Sequence, residues 1–367
     1  CGARPENNPA HLEADLLDEA ASCDVPARST RPVWITVDIP RDAAPGRYTA
    51  PVAVKGEQYM NDKMKSKMET TTFVFDKNNE NGQQNNFTQI NLDIQRANVV
   101  FRFNKEDKTT VNYSTPDKNK KLTCFVDNGK LHIYESREPL LFSMLMFGDV
   151  LTRIEISLPE RYRDTDKLSG LRIYSGAGSV SGDIPYTETT EILLSSGKVN
   201  VTAMTGDMKI DIGSGKAEVS GRGGENTVTA ETLNVECRSG SVALNNFNAK
   251  NAEFKLGSGN VTATGNMGKI KAKIYSGRLE MHCTGNVEKA ELDQSSGTTY
   301  ITLPKISSAK VDYSVSSGSM DVELGGNAET LTKSGTRYYG TDTNGACDTY
   351  ITALVSSGKC VIEEINR

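Results

Sequence analysis

A Ser-Gly pair returns along most of the second half of the chain, at residues 175–176, 196–197, 214–215, 239–240, 258–259, 276–277, 296–297, 317–318 and 357–358. Successive glycines are 21, 18, 25, 19, 18, 20, 21 and 40 residues apart, the last interval reading as two periods across a degenerate stretch. A fixed period of about 20 residues is the mark of a stacked repeat, and no other feature of the chain restricts its fold as strongly.

Alignment on the glycine tests what each repeat contains. Two places after it stand Val199, Ala217, Val242, Val261, Leu279, Thr299, Met320 and Cys360. Four places after it stand Val201, Val219, Leu244, Ala263, Met281, Ile301, Val322 and Ile362, with mostly polar residues between the two columns. Upstream, Leu194, Ile212, Cys237, Leu256, Ile274, Val315 and Val355 precede the glycine by three places, and only Gln294 breaks that row. Alternation with period two is the pattern of a strand with one buried face, so each repeat reads as two short strands joined by a Ser-Gly corner. Glycine at such a corner can take the positive φ that a sharp bend often needs, and serine can bond locally. A unit of this size cannot bury its apolar face alone, so the units must stack into an all-β, single-stack β-solenoid. Nine or ten coils at a strand spacing of roughly 4.8 Å give a rod roughly 45 Å long. Val199, Val219, Leu244, Ala263, Met281, Ile301, Val322 and Ile362 are expected to form one buried column.

The outward columns carry charge. In register, Lys271 lies between Glu253 and Glu291, and Lys273 between Lys255 and Asp293. Lys269, Lys271 and Lys273 therefore read as part of a solvated ladder rather than a basic stripe. A net charge of -5 gives no electrostatic basis for wrapping nucleic acid, whose affinity rests on Lys and Arg at phosphates. Apolar residues at 37% and charged residues at 24% fit a folded, soluble chain. No apolar run approaches the ~18 residues needed to span a bilayer, and the start shows no basic-then-apolar leader, so an exported form is expected to have lost its signal already.

The seven cysteines, at 1, 23, 124, 237, 283, 347 and 360, form no CxxC pair and do not fix the redox compartment. Cys237, Cys283 and Cys360 fall in inward columns and read as small core residues. The histidines His11, His132 and His282 are far apart in sequence, which leaves no multi-histidine metal site in prospect. His282 points outward with Thr264 and Thr302 as stacked neighbours, and Glu280 shares its face. This His-Glu pair is the best acid-base candidate, and the expectation is that the chain is not an enzyme, with no catalytic residues, no cofactor and no metal.

Before the repeats, residues 88–94, 98–103, 109–113, 122–126 and 130–134 read as strands, with Asp127-Asn128-Gly129 as a hairpin turn that separates the last two. They are expected to lead into the solenoid and cover its first coil, because an open sheet end invites edge pairing. Residues 138–151 are strongly apolar but too short to cross a membrane, and suit a capping helix or loop, or else a partner or membrane-surface contact. The chain divides into 1–57, a segment with a hairpin-like strand pair; 58–85, a polar linker with a strand candidate at 70–75; 86–160, the β-rich lead and cap; and 161–367, the Ser-Gly solenoid.

Several pieces carry a resemblance. They are Ile90-Asn91-Leu92-Asp93-Ile94 with Ala97-Asn98-Val99-Val100, the hairpin Asn128-Gly129-Lys130-Leu131-His132-Ile133, Ile154-Glu155-Ile156-Ser157-Leu158-Pro159, the repeated Ser-Gly-x-Val, and Ile351-Thr352-Ala353-Leu354-Val355-Ser356-Ser357-Gly358. From about residue 86 to the end the chain thus resembles the bacterial putative-adhesin family of Gly-rich β-solenoids. That resemblance implies a cell-envelope location and adhesion or scaffolding, and it supplies no catalytic residues. Residues 33–54, with a Pro-Gly turn between two strand-like runs, resemble a strand pair from the β-sandwich modules of glycoside-hydrolase-like lipoproteins. Cys1-Gly2 and the polar tract after it look like the start of a mature bacterial lipoprotein, with Cys1 as the lipidated residue, the alternative being a chain cut at a cysteine.

The leading expectation is a non-enzymatic, extracytoplasmic envelope or surface protein that presents a rigid solenoid to a glycan or a surface protein. Any membrane contact would come through a lipid on Cys1. An accessory component of envelope-stress sensing is the alternative. A carbohydrate-active enzyme or its glycan-binding module is a second alternative, weakened because the outward acids Glu218, Glu280 and Asp321 lie coils apart and too little non-repeat sequence remains for a catalytic barrel of about 250 residues.

Overall fold

The structure is a computed structural model that describes residues 69–76, 86–115, 121–135, 152–223, 229–340 and 347–365, and the short segments 11–12 and 34–35. The chain forms two units, Cys1–Tyr59 and Met60–Arg367. In the first, His11–Leu12 and Trp34–Ile35 make a parallel ladder, and the remainder of the strand pair expected at 33–54 lies outside the described residues, as does the apolar stretch 138–151.

The second unit is the solenoid, one 25-stranded sheet wound on itself. Each coil contributes one strand to each of two faces, for example Thr187–Leu194 and Lys198–Ala203, and both strands pair in parallel with those of the next coil. Burial alternates along most strands of the stack: Lys198–Ala203 runs exposed, buried, exposed, buried, half-buried, buried. The inward columns of the sequence alignment are buried throughout, in a single core that follows the axis of the stack. Gln294, the exception in its row, is also buried. It donates from Nε2 to the Gly297 carbonyl at 2.8 Å and accepts from Thr299 Oγ1 at 2.6 Å. Ser175, in the same row, donates to the Gly178 carbonyl at 3.1 Å. Both polar side chains are thus satisfied inside, which is the condition for burying them cheaply.

The corner glycines do their work differently from the expectation. None of Gly240, Gly259 and Gly277 has a positive φ. At each, an added Cβ would come closer than 3.0 Å to the carbonyl oxygen of the corresponding glycine one coil away, Gly215, Gly240 and Gly259 in turn. That same oxygen accepts the N–H of the residue after the glycine, as in Ser241 to Gly215, Asn260 to Gly240 and Arg278 to Gly259, each at 3.0 Å. The hydrogen bond pulls the carbonyl over the α-carbon, and only glycine leaves room for it. Positive φ belongs instead to turns such as Asn128-Gly129, which closes the expected hairpin between Leu122–Asp127 and Lys130–Glu135.

Register corrects the alignment in two places. Ser179 pairs with Lys198, so Gly178 and not Gly176 is the corner equivalent of Gly197. Val199 pairs with Ala217, and Val201 is the residue that lines up with Val219; both are buried, but Val199 belongs to the neighbouring column. Chain order is also broken at both ends. Strands Thr349–Val355 and Lys359–Glu364 sit between Lys289–Leu303 on one side and Ser308–Leu324 on the other. The buried column therefore runs Ile301, Ile362, Val322. The 40-residue interval before Gly358 holds no degenerate coil, because Asn327–Gly340 runs antiparallel along Ser308–Leu324 and covers the end. At the other end Gln89–Ile94 and Asn98–Asn104 form a coil of the stack, flanked by Leu168–Asp183 on one side and by Lys130–Glu135 with Arg153–Pro159 on the other. Only Lys108–Thr115 and Leu122–Asp127 run antiparallel as the cover, with Glu69–Asp76 outside the former. Eleven coils are stacked among the described residues, against the nine or ten expected, because the coils outside the Ser-Gly pattern also stack.

At the N-terminal end of the corner ladder a carboxylate accepts the corner N–H groups. Buried Glu135 accepts through Oε2 the backbone N–H groups of Gln95, Arg96 and Ala97 at 2.7, 2.8 and 3.0 Å. At the opposite end Glu364 accepts those of Ile306 and Gly325, both at 2.8 Å.

Gly277→Ala is expected to destabilise the solenoid by about 1–3 kcal/mol in urea unfolding, since the corner backbone must move. Gly326→Asn, at a φ of 76° with nothing within 4 Å of an added Cβ, should stay within about 0.5 kcal/mol. An unfolding midpoint for Gly277→Ala equal to that of the unaltered chain would remove the steric role. Glu135→Ala strands three N–H groups and is expected to cost about 1–3 kcal/mol, and Glu135→Gln, which keeps an acceptor, less.

Candidate functional site

The period-two alternation that fills the core also fixes what the outside offers, since every second side chain stands in a row along the stack, one strand spacing from its neighbours. Chemistry requires unlike groups to meet in such rows. The structure brings together His282, Glu280, Thr264 and Thr302, as the sequence alignment placed them. His282 stands between Thr264 and Thr302, and its Nε2 lies 3.4 Å from Glu280 Oε1. Glu280 Oε2 accepts from Arg278 Nη2 and Nε at 3.0 and 3.3 Å, and that guanidinium holds the carboxyl below the usual carboxylate range. Arg278 in turn lies over the Tyr300 ring, 4.8 Å from its centroid. An ionised carboxylate already neutralised by arginine is a poor proton acceptor and no proton donor. The cluster is a solvent-facing ion-pair chain.

The charge ladder is present as read. Lys271 Nζ lies 3.9 Å from Glu253, and Lys273 Nζ 3.9 Å from Asp293. Glu218 and Asp321 lie on other coils, away from Glu280. No group of three or more His, Cys, Asp or Glu that could hold a metal ion occurs among the described residues, and no helix among them is long and apolar enough to cross a membrane. His132 stacks on Phe125, ring centroids 5.0 Å apart, and shares a hydrogen bond with the Tyr134 hydroxyl. Partial burial lowers its pKa first of all. Cys1 and the side chain of His11 lie outside the described residues.

A groove that sequence reasoning missed lies near the C-terminal end of the stack, with a volume of about 480 Å³. Its floor is one outward row, Lys269, Lys289, Tyr350 and Lys310, on four successive coils. The row continues to Tyr338 on the covering strand. The Tyr350 hydroxyl accepts the Cys347 N–H at 3.0 Å, which fixes its ring against the wall, and Asp348 N–H donates to Ser308 Oγ at 3.1 Å. Lys310 and Asp312 pair at 2.8 Å; this contact raises the ammonium's pKa and, with Thr336 donating to the carboxylate at 2.6 Å, lowers that of Asp312. Lys269 lies 3.7 Å from Glu288, and Lys289 pairs with Glu291. No linear alignment places Tyr350 beside Lys289, since the two are 61 residues apart in the chain. The only hint was the break in period after Gly318.

Parallel strands in one stack, steric glycines at the corner and antiparallel covers at both ends define a capped β-solenoid. The model of the Toastrack DUF4097 family matches residues 87–362, and the chain belongs to that family. Residues 1–56 match the glycoside hydrolase 123 N-terminal domain. Similar solved structures include a putative lipid binding protein from Parabacteroides distasonis, 14% identical over 82% of this chain and 97% of that one, with a TM-score of 0.48. A putative adhesin from the same organism and one from Bacteroides fragilis are each 14% identical over the same shares, with TM-scores of 0.44 and 0.40. No curated protein matches the chain.

The cysteines give a direct check. Cys237, Cys283 and Cys360 are buried, and burial raises all three thiols, Cys283 and Cys360 to about 12. A thiol reagent applied to the native protein at neutral pH is expected to leave these three unmodified and to reach them after denaturation. Native labelling of any of them would contradict the packing described.

Proposed function

We propose that this chain is a non-enzymatic, extracytoplasmic bacterial surface protein of adhesin or scaffold type, whose solenoid holds binding side chains at fixed spacing. The observation that carries this reading is how the chemistry-bearing groups are spread. Many outward acids and bases are committed to ion pairs along the ladder, and the His282-Glu280 pair faces open solvent beside a neutralising arginine. A stack built on backbone ladders is rigid, which suits presentation of a surface more than the closure that catalysis commonly needs. A glycan is the favoured partner class, because residues 1–56 match a domain that precedes enzymes acting on glycosides.

The test is turnover. The full chain incubated with soluble polysaccharides is expected to release no new reducing ends. Release that disappears in Glu280→Gln or His282→Ala would overturn the non-enzymatic reading.

A further inference from the structure

The groove near the C-terminal end of the stack has features that the rest of the described surface lacks. Few large apolar side chains are exposed among the described residues, and two of them, Tyr350 at 41% and Tyr338 at 70%, stand in one row with Lys310 between them. Directly paired residues on adjacent strands point to the same face, so both rings project from the same side of the sheet. Their separation is two strand spacings, about 9.6 Å. The whole row from Lys269 to Tyr338 covers four spacings, about 19 Å.

We infer that this row binds a linear, uncharged glycan lying along the solenoid axis, with alternate sugar units stacked on Tyr350 and Tyr338. The inference rests on the surface-protein reading above and gives it a site and a ligand class. A pyranose ring has an apolar face of C–H bonds and a rim of hydroxyls. Tyrosine offers a flat apolar body with a wet polar tip, and it loses little conformational freedom on binding. The Tyr350 ring is already fixed by the bond from Cys347 N–H, so less ordering is left to the ligand. Around the rings, Lys269 with Glu288 and Lys310 with Asp312 set donors beside acceptors, the pairing that hydroxyl groups require.

Charge decides between ligand classes. The three lysines of the row are each matched by a carboxylate, Glu288, Glu291 and Asp312, and Asp348 lines the same groove. A polyanion would meet no net positive field there. The volume of about 480 Å³ lies within the range of small-ligand sites, and the groove alone is far smaller than the area a stable protein interface buries.

The experiment is affinity electrophoresis of the full chain in native gels that contain laminarin, hydroxyethyl cellulose or galactomannan, with polygalacturonate as the anionic arm. At least one neutral polysaccharide is expected to retard the protein, with no loss on adding salt. Tyr350→Ala and Tyr338→Ala should each weaken that retardation about tenfold. Phe125→Ala and Tyr275→Ala, exposed aromatics elsewhere on the stack, should leave it unchanged, and matching circular dichroism and unfolding midpoints guard against a folding defect. Retardation by polygalacturonate alone, retardation that survives both tyrosine changes, or none by any of the three neutral polymers would each overturn the assignment. Retardation that is lost in Phe125→Ala instead would sink the groove and leave the non-enzymatic surface protein standing. Polymer cleavage that depends on Tyr350 would keep the groove and sink that broader reading.

Discussion

The corner hydrogen bond governs the rest of the solenoid. In each repeat the residue after the glycine donates to the carbonyl one coil away, and that carbonyl lies over the glycine α-carbon. If the corner could not close to this distance, the two faces would not keep one register, and the alternation along each strand would no longer place its apolar set inside. Hydrophobic burial supplies the larger free energy, but it is non-directional. The backbone contact at the corner decides which residues meet. This is why the row from Gly178 to Gly318 carries no side chain while the positions beside it vary among serine, lysine, asparagine, arginine and threonine.

A stack of parallel strands has two open ends, and each is an invitation to pair with another chain. Here both are covered from within the same chain by strands that run the other way, Lys108–Thr115 and Leu122–Asp127 at one end and Asn327–Gly340 at the other. The covers settle the sheet edges, while Glu135 and Glu364 settle the N–H groups near the ends of the stack. A carboxylate suits that position because one oxygen can accept several donors at once, as Glu135 Oε2 does.

Much of this was legible in the sequence, because the repeat is written in residue types whose physics is local. The inward columns, the register of Lys271 between Glu253 and Glu291 and the outward placement of His282 follow from period two and alignment on the corner glycine, and the hairpin at Asn128-Gly129 follows from its turn residues. What escaped reading depended on contacts between distant parts of the chain. The reason for glycine at the corner lies in a carbonyl about 20 residues away, so sequence suggests backbone freedom where the cause is lack of room. The groove was hidden for a similar reason. Tyr350 and Lys310 become neighbours only because the last coil is inserted ahead of the one that precedes it in the chain, and a repeat alignment assumes that sequence order is stacking order.

That insertion has a consequence for assembly. Among the described residues, Ser308–Leu324 has strand partners in Asn327–Gly340 and in residues 349–364, and none in the coil 289–303 that comes just before it. During vectorial synthesis the growing stack can extend coil by coil to residue 303, then must leave the next strand undocked until a later segment arrives to bridge it. The bridging segment closes a non-local connection, the slow kind of step in folding. Once in place it is held on both sides, so fraying cannot begin with those strands alone. The same logic holds at residues 89–104, which are enclosed by segments translated after them. The molecule is latched at both ends by strands that arrive out of turn, a design that exchanges speed of maturation for resistance to unzipping.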